Sequence, residues 1–556
     1  MVRRVLSFLS LEFFSLHQTA ALLGVATFTS QFLGLWRDRL LASTFGAGIE
    51  LDIYYLAFRI PDLIFVALVS LVSVAALLPF LTSFLTAGKK EEANNFLNST
   101  ITFFSLIMVG VSVLVWILMP QLSSWVAPGL ETEASLELIK LSRIMLLSPF
   151  LLGLSNMLSS VTQALRRFFS YALAPIIYNL GIIVGIVFFY PWWGLAGLAW
   201  GVVLGAIGHC LINYPVVYRA GFRPKFVFNV DWKGVFKMMA VSWPRTVTLS
   251  IHQLILLALL AFGSLMGAGV VSVFNLSNNL YSIPLMIVGS SYAVAAFPTM
   301  ARLLAKGKHS DFAYQIEVAG RHIIFWTLPA MVLFIVLRAQ IVRTVLGSGQ
   351  FSWSDTRLTA ATLALLALSV TAHGLIMLLV RGYYASGHTT KPLIAAVGSG
   401  CLTILLVPVL WFNYPKFGFL LESFLKVSDL SNSEMLVLPL AYSIGLILNF
   451  LIIWFLFIRD FPVAKKSFYL TFIQSLVASV IIGFSAYLVL EWGAIFFDLN
   501  TFLGIFLQGL MSGIVGLFLG FLSLYGLNSR ELKEFTTSIS RRIWHYRSAG
   551  VEPEEL

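Results

Sequence analysis

Charge is scarce in this chain. Asp, Glu, Lys and Arg make up 11% of its 556 residues against 59% hydrophobic, and the mean hydropathy is +0.90. Water-soluble domains cannot be built from that composition, since ordinary globular domains carry about 25% charged residues. Cysteine is nearly absent: Cys210 and Cys401 stand far apart, each inside an apolar run. There a thiol behaves as a small hydrophobe, and neither a disulfide nor a metal pair is indicated. The eight histidines show no ligand spacing, and the chain lacks a Walker loop, a dinucleotide fingerprint and HExxH. Intrinsic ATP-driven transport is thereby disfavoured, and no cofactor or metal is expected. Grouped carboxylates are missing too. A membrane glycosyltransferase would gather them in a sizeable external loop, whereas the longest such loop, 414–434, offers Glu422, Asp429 and Glu434 without a recognisable grouping. The expectation is that this is not an enzyme. Two-residue alternation is also lacking, which argues against a β-barrel.

What the chain has in quantity is apolar runs long enough to span a bilayer. They fall at 18–36, 61–86, 99–119, 135–160, 169–190, 194–217, 238–262, 270–301, 320–346, 357–384, 392–413, 435–457, 467–490 and 501–526. The expected fold class is all-α integral membrane with about fourteen transmembrane helices. The net charge of +11 would point to nucleic acid in a soluble protein, but here it follows the loops. Alternate connections hold Lys89, Lys90, Arg166, Arg167, Arg219, Arg223, Lys225, Lys233, Lys237, Arg302, Lys306, Lys308, Lys391, Arg459, Lys465 and Lys466. The opposite set, leaving aside the loop after the first run, holds Lys416 and Lys426. Both termini are therefore expected in the cytoplasm and no nucleic-acid partner is expected. No cleavable signal peptide is evident, and residues 1–17 read as an interfacial helix.

The chain repeats itself. Pro79 and Gly88 recur as Pro298 and Gly307 at an offset of 219 residues, and Pro61 recurs as Pro284 at 223. A slip of four residues is about one helical turn, which keeps the same face. The offset covers an even number of spans, so the copies share one orientation, as in transporters built from parallel repeats. The expected layout is an N-lobe at 18–217, a cytoplasmic linker at 218–237, a C-lobe at 238–457, two added helices at 458–527 and a cytoplasmic tail at 528–556.

Residues 30–79 place Arg37, Asp38, Arg39, Asp52, Arg59 and Asp62 between apolar runs of a chain that otherwise keeps charge out of them. Ionisable groups at membrane depth are costly and usually face a wet cavity, so a functional site is one reading and self-paired loop charges are the other. The second copy contributes Arg245, at the start of the seventh run, and Asn275, Asn278 and Asn279 on the eighth. They make either a polar wall or interhelical hydrogen bonds. His252 and Gln253 read better as satisfied polar core residues.

The motifs S-x-x-L-G-x-x-R-D (30–38), F-G-A-G (45–48), A-F-R-I-P-D (57–62), P-R-T (244–246), N-N-L-x-x-I-P (278–284) and A-A-F-P (295–298) together resemble the MurJ (MviN) lipid II flippases of the multidrug/oligosaccharidyl-lipid/polysaccharide (MOP) exporter superfamily. The resemblance implies alternating-access export of an undecaprenyl-diphosphate-linked peptidoglycan precursor across the bacterial cytoplasmic membrane. It also implies a central cavity for the diphosphate and sugars, and a groove on the last two helices for the lipid tail. Carried over by position, the substrate-binding candidates are Arg37, Asp38, Asp52 and Arg59, with Arg245; Asn275 and Asn279 join them from the polar-wall reading of the second copy. Three features depart from the family: Gln31 and Asn279 stand where it has Arg, and Phe65, Val66 and Ser70 stand where it has charge. The expected partners are a lipid-linked saccharide diphosphate and membrane lipids; the chain is expected to act as a monomer, and a coupling cation is left open. The alternative readings are a cation-coupled exporter of another lipid-linked saccharide or amphipathic small molecule on the same fold, or a scaffold without transport.

Overall fold

The computed structural model describes residues 16–72, 74–462 and 465–537, and every regular element among them is helical. The expected interfacial helix at 1–17 falls almost wholly outside the described residues, as does the tail from 538 onward. The long helices are α1 (Leu16–Phe45), α2 (Ile49–Thr86), α3 (Lys90–Val126), α4 (Thr132–Ala164), α5 (Phe168–Trp193), α6 (Leu195–Arg219), α7 (Trp232–Leu265), α8 (Val270–Ala305) and α9 (His309–Val336). They continue as α10 (Trp353–Ala367 and Val370–Ala385), α11 (Thr390–Leu425), α12 (Ser433–Asp460), α13 (Lys465–Phe496) and α14 (Phe502–Gly526). Among the described residues twelve of them are long and apolar enough to cross a membrane, and α10 makes a thirteenth when its two parts, bent by 46°, are taken as one span. The first expected run lies on α1, whose 30 residues rise about 45 Å against a hydrocarbon core of about 30 Å.

Two boundaries differ from the sequence reading. The ninth run does not continue to 346: α9 stops at Val336 and a separate helix, Arg338–Leu346, follows. Arg338 turns its guanidinium back to the Ile335 carbonyl at 2.8 Å, covering an orphan acceptor of the helix it ends. The expected loop 414–434 is helical as far as Leu425.

Local geometry reproduces the repeat. After α2 and the corresponding part of α8, Gly88 and Gly307 take φ of +73° and +69°. In both turns the next amide reaches back to close the helix, Lys89 N–H to Phe84 O at 2.9 Å and Lys308 N–H to Leu303 O at 3.0 Å. The turns after α4 and α10 have the same form, with Gly387 at +76° and, in its counterpart, Arg166 at +56°. Between its two prolines each copy has a π-helical turn, Phe65–Val69 in α2 and Leu285–Ser290 in α8.

Contacts divide the described chain into two units. The first holds the described residues up to Leu276, with Val345–Thr356 and Ala396–Leu438. Within it α5 and α6 cross through glycine: a Cβ on Gly181 would lie 2.3 Å from Gly205 Cα, and one on Gly201 2.4 Å from Gly185 Cα. Such close approach is how membrane helices associate without a hydrophobic driving force. The linker after α6 is pinned along α3, where Asn94, Asn98 and Thr102, one turn apart, accept the amides of Arg223, Lys225 and Val227. The second unit holds Ser277–Thr344, Arg357–Ala395 and the described residues from Pro439. There α14 buries Gly504, Gln508, Ser512, Gly516, Gly520 and Leu524, every fourth residue, and packs along α13. The bend in α10 frees carbonyls, which Ser443 and Ser369 satisfy by donating to Leu365 O and Leu366 O at 2.7 and 2.8 Å. A broken helix is stable at membrane depth only when such partners exist.

Candidate functional site

The first unit gathers most of the expected site residues. Arg37, on α1, donates through Nε and Nη2 to Asp38 Oδ1 at 3.0 and 2.8 Å, and through Nη1 to Asn179 Oδ1 on α5 at 3.1 Å. The side chain of Asp38 is 4% exposed and that of Arg37 23% exposed. Asp38 thus neutralises and aims the guanidinium, while Arg37 keeps an open side. Asn179 donates in turn to Ser30 and to Pro175 O, which fixes its amide with the oxygen toward Arg37.

Arg59, in the first third of α2, donates to Asn275 Oδ1, and Asn275 Nδ2 returns a bond to Val271 O one turn earlier on α8. The Nε of Arg59 is buried without a partner among the described residues. Tyr55 senses the charges of both arginines and of Asp38, and Tyr54 those of Arg37, Asp38 and Asp62. The Tyr55 hydroxyl has no hydrogen-bond partner among the described residues.

Asp52 does something different. It is 2% exposed, and its carboxylate accepts from the Gly269 amide at 2.6 Å, from the Ser272 amide at 2.7 Å and from the Ser272 hydroxyl. Those amides belong to the N-terminus of α8, whose donors have no partner within the helix. Gly269 has φ of +87°, and a Cβ there would sit 2.2 Å from Ala47 O, so only glycine lets the two connecting loops approach this closely. Asp52 is therefore a cap for α8, with both carboxylate oxygens engaged.

Asn279 is half-buried in the second unit, one turn beyond Asn275 on α8. Arg245 lies on α7, but its side chain is outside the described residues. The sequence reading missed Asn179, Tyr54, Tyr55 and Tyr178. One signal for Asn179 was available: it is the only amide side chain in the apolar run 169–190, and an isolated amide in a span usually has a partner on another helix.

A family model described as Lipid II flippase MurJ matches residues 41–507. The chain belongs to the MurJ family. It is 27% identical over 400 residues to a protein of Rhizobium tropici named "Probable lipid II flippase MurJ", covering 70% of this chain and 75% of that one. With the MurJ relative of the same name from Buchnera aphidicola subsp. Schizaphis graminum it shares 26% over 466 residues, 83% of this chain and 90% of that one. Among solved structures, a lipid II flippase MurJ in an inward closed conformation superposes with a TM-score of 0.70 at 24% identity, covering 91% of this chain and 99% of that one. An inward-facing MATE family transporter of the MOP superfamily gives 0.61 at 16%, covering 77% and 95%. The MurJ family member described here therefore has the MOP exporter fold.

Proposed function

We propose that this protein is a lipid II flippase, carrying an undecaprenyl-diphosphate-linked peptidoglycan precursor from the inner to the outer leaflet of the bacterial cytoplasmic membrane by alternating access. Family membership supports the substrate class, and the observation that carries the site is the aimed, partly open guanidinium of Arg37. A diphosphate leaving water needs partners that replace its hydration, and Arg offers a planar fork of donors suited to a phosphate. In this reading Arg37 and Arg59, joined by Arg245, hold the diphosphate, while Asn275 and Asn279 meet the sugars. Asp38 holds Arg37 in place, and Asp52 maintains the α8 terminus on which Asn275 stands. The excess of Lys and Arg in alternate loops supports cytoplasmic termini, and α13 with α14 supplies a groove for the lipid tail. The chain acts as a transporter rather than as an enzyme, and as a monomer; a coupling cation is compatible with the site.

The test is precursor movement by purified protein in vesicles, at matched protein levels, for wild type, Arg37→Ala, Arg37→Lys and Lys89→Ala. Arg37→Ala should abolish movement. Arg37→Lys should recover part of it, since an ammonium lacks the bidentate fork. Lys89→Ala, which loses an exposed pair with Glu92, should match wild type. Equal movement by Arg37→Ala and Lys89→Ala rejects the site; no movement by wild type rejects the function.

A further inference from the structure

A cavity of about 210 Å³ lies inside the first unit, lined by Phe58, Pro61, Asp62 and Phe65 of α2, with Met145, Ser148, Pro149 and Leu152 of α4, Tyr178 of α5 and Val202 of α6. Its one charged wall residue is Asp62. That carboxylate is half-buried and, among the described residues, receives no hydrogen bond and forms no ion pair. The nearest cation it senses is Arg59, one turn back on its own helix, whose terminal nitrogen is engaged with Asn275. Tyr178 senses Asp62 in turn and stands beside Asn179, the partner of Arg37. An anion at membrane depth is normally paired, so a carboxylate facing a cavity without a partner marks a place for a cation that the protein itself does not supply.

The walls say which kind. A bare alkali or divalent ion needs a shell of about six oxygens, and here only Asp62, Ser148 and Tyr178 carry side-chain oxygen. The remaining seven lining residues are apolar, two of them aromatic rings that favour a cation over their faces. Apolar walls with one converging charge suit an organic cation with a short hydrocarbon body. We infer that the Asp62 cavity is a subsite for a primary alkylammonium group. Such a group could be carried on the peptide of the transported precursor, in which case the inference rests on the flippase reading, or it could be a free amine.

Two measurements separate these sources. In the first, the full-length protein in detergent is titrated with n-butylammonium or with butan-1-ol, and the shift in its unfolding midpoint, read by tryptophan fluorescence, gives apparent affinity. Wild type should prefer the ammonium by about tenfold to a hundredfold, the range of a charge-assisted hydrogen bond. Asp62→Asn should respond to both alike. Should Asp62→Asn fail to fold, Leu152→Phe keeps the carboxylate and fills the cavity, and it should lose both responses. In the second, vesicles with wild type or Asp62→Asn are given precursor whose peptide amine is free or acetylated. If acetylation slows wild type and the difference vanishes in Asp62→Asn, the amine belongs to the precursor. If only the titration responds, the ligand is a free amine. An equal response of wild type to ammonium and alcohol, or a preference that survives in Asp62→Asn, overturns the inference. Absence of transport with either precursor overturns the flippase reading instead, because the titration does not depend on it.

Discussion

Arg37 and Asp52 are both ionisable residues at the edge of apolar runs, yet one is held partly open and the other is consumed by backbone donors. That difference separates two kinds of loss. Asp52→Ala leaves two buried amides of α8 without an acceptor and should cost about 1–3 kcal/mol of stability. Asp52→Asn keeps one acceptor oxygen and should cost less; thermal unfolding in detergent measures both. Were Asp52 a direct substrate contact, the Asn variant would instead keep its stability and lose transport. Beyond α14, Glu534 gives a pH signature. Burial pushes its carboxyl up, but the Arg530 side chain at 2.8 Å and the charges of Arg321, His322 and Arg530 outweigh burial and hold it below the usual carboxylate value. A group depressed in the folded state contributes stability above its unfolded pKa, about 4.3 for Glu, and loses it as pH falls through the lower folded value. Unfolding midpoints between pH 7 and pH 3 (about the span from neutrality to below that value) should fall at the acid end in wild type and fall less in Glu534→Gln. Arg37 and Arg59 were legible in the sequence because a charge is conspicuous among apolar residues. The role of Asp52 was not, since its partners lie more than 200 residues away and two of the three are backbone amides. The ion network of Arg321, Glu317 and Glu531, all buried, was equally hidden, because Arg321 and Glu531 lie more than 200 residues apart in the chain.

Helices were the most legible level, since about 20 apolar residues have few other fates in lipid. Their ends were less so, because a stop is decided by a few polar groups, as at Leu337 and in the extension of α11. The four matching turns make one position stand out. Gly88, Gly307 and Gly387 take left-handed φ at no steric cost, whereas Arg166 takes it at +56° with a side chain. A non-glycine residue there costs about 1–2 kcal/mol, partly offset by the extra freedom glycine gains on unfolding. Arg166→Gly should therefore stabilise the protein by about 0.5–1 kcal/mol. The reciprocal change, Gly307→Ala, has open space for its Cβ and should destabilise by about 1 kcal/mol for conformational reasons alone. Denaturation of the two variants beside wild type checks both signs.

For the whole molecule, the repeat was visible in sequence only through a few prolines and glycines, and the structure adds the matching turns and a π turn in each copy between its two prolines. Orientation is open to a direct check. In a chain with Cys210 and Cys401 replaced by Ala, single cysteines at Lys225 and Lys466 should be labelled by an impermeant reagent only from the cytoplasm, and one at Gln350 only from outside; labelling of all three from one side contradicts the map. The π turns carry a further consequence. Each adds a residue to one turn of a helix, and α5 has a third, Gly185–Phe189. A helix with a spare residue works like a screw with slack in its thread: letting the irregular turn relax to α geometry rotates everything beyond it by about 100°, one residue's worth of turn, without unwinding a span. Side chains on the far halves of α2, α5 and α8 could then trade a lipid-facing position for an inward one at the cost of rearranging a few backbone bonds. That is a cheap motion for a chain that must present different faces on the two sides of a membrane.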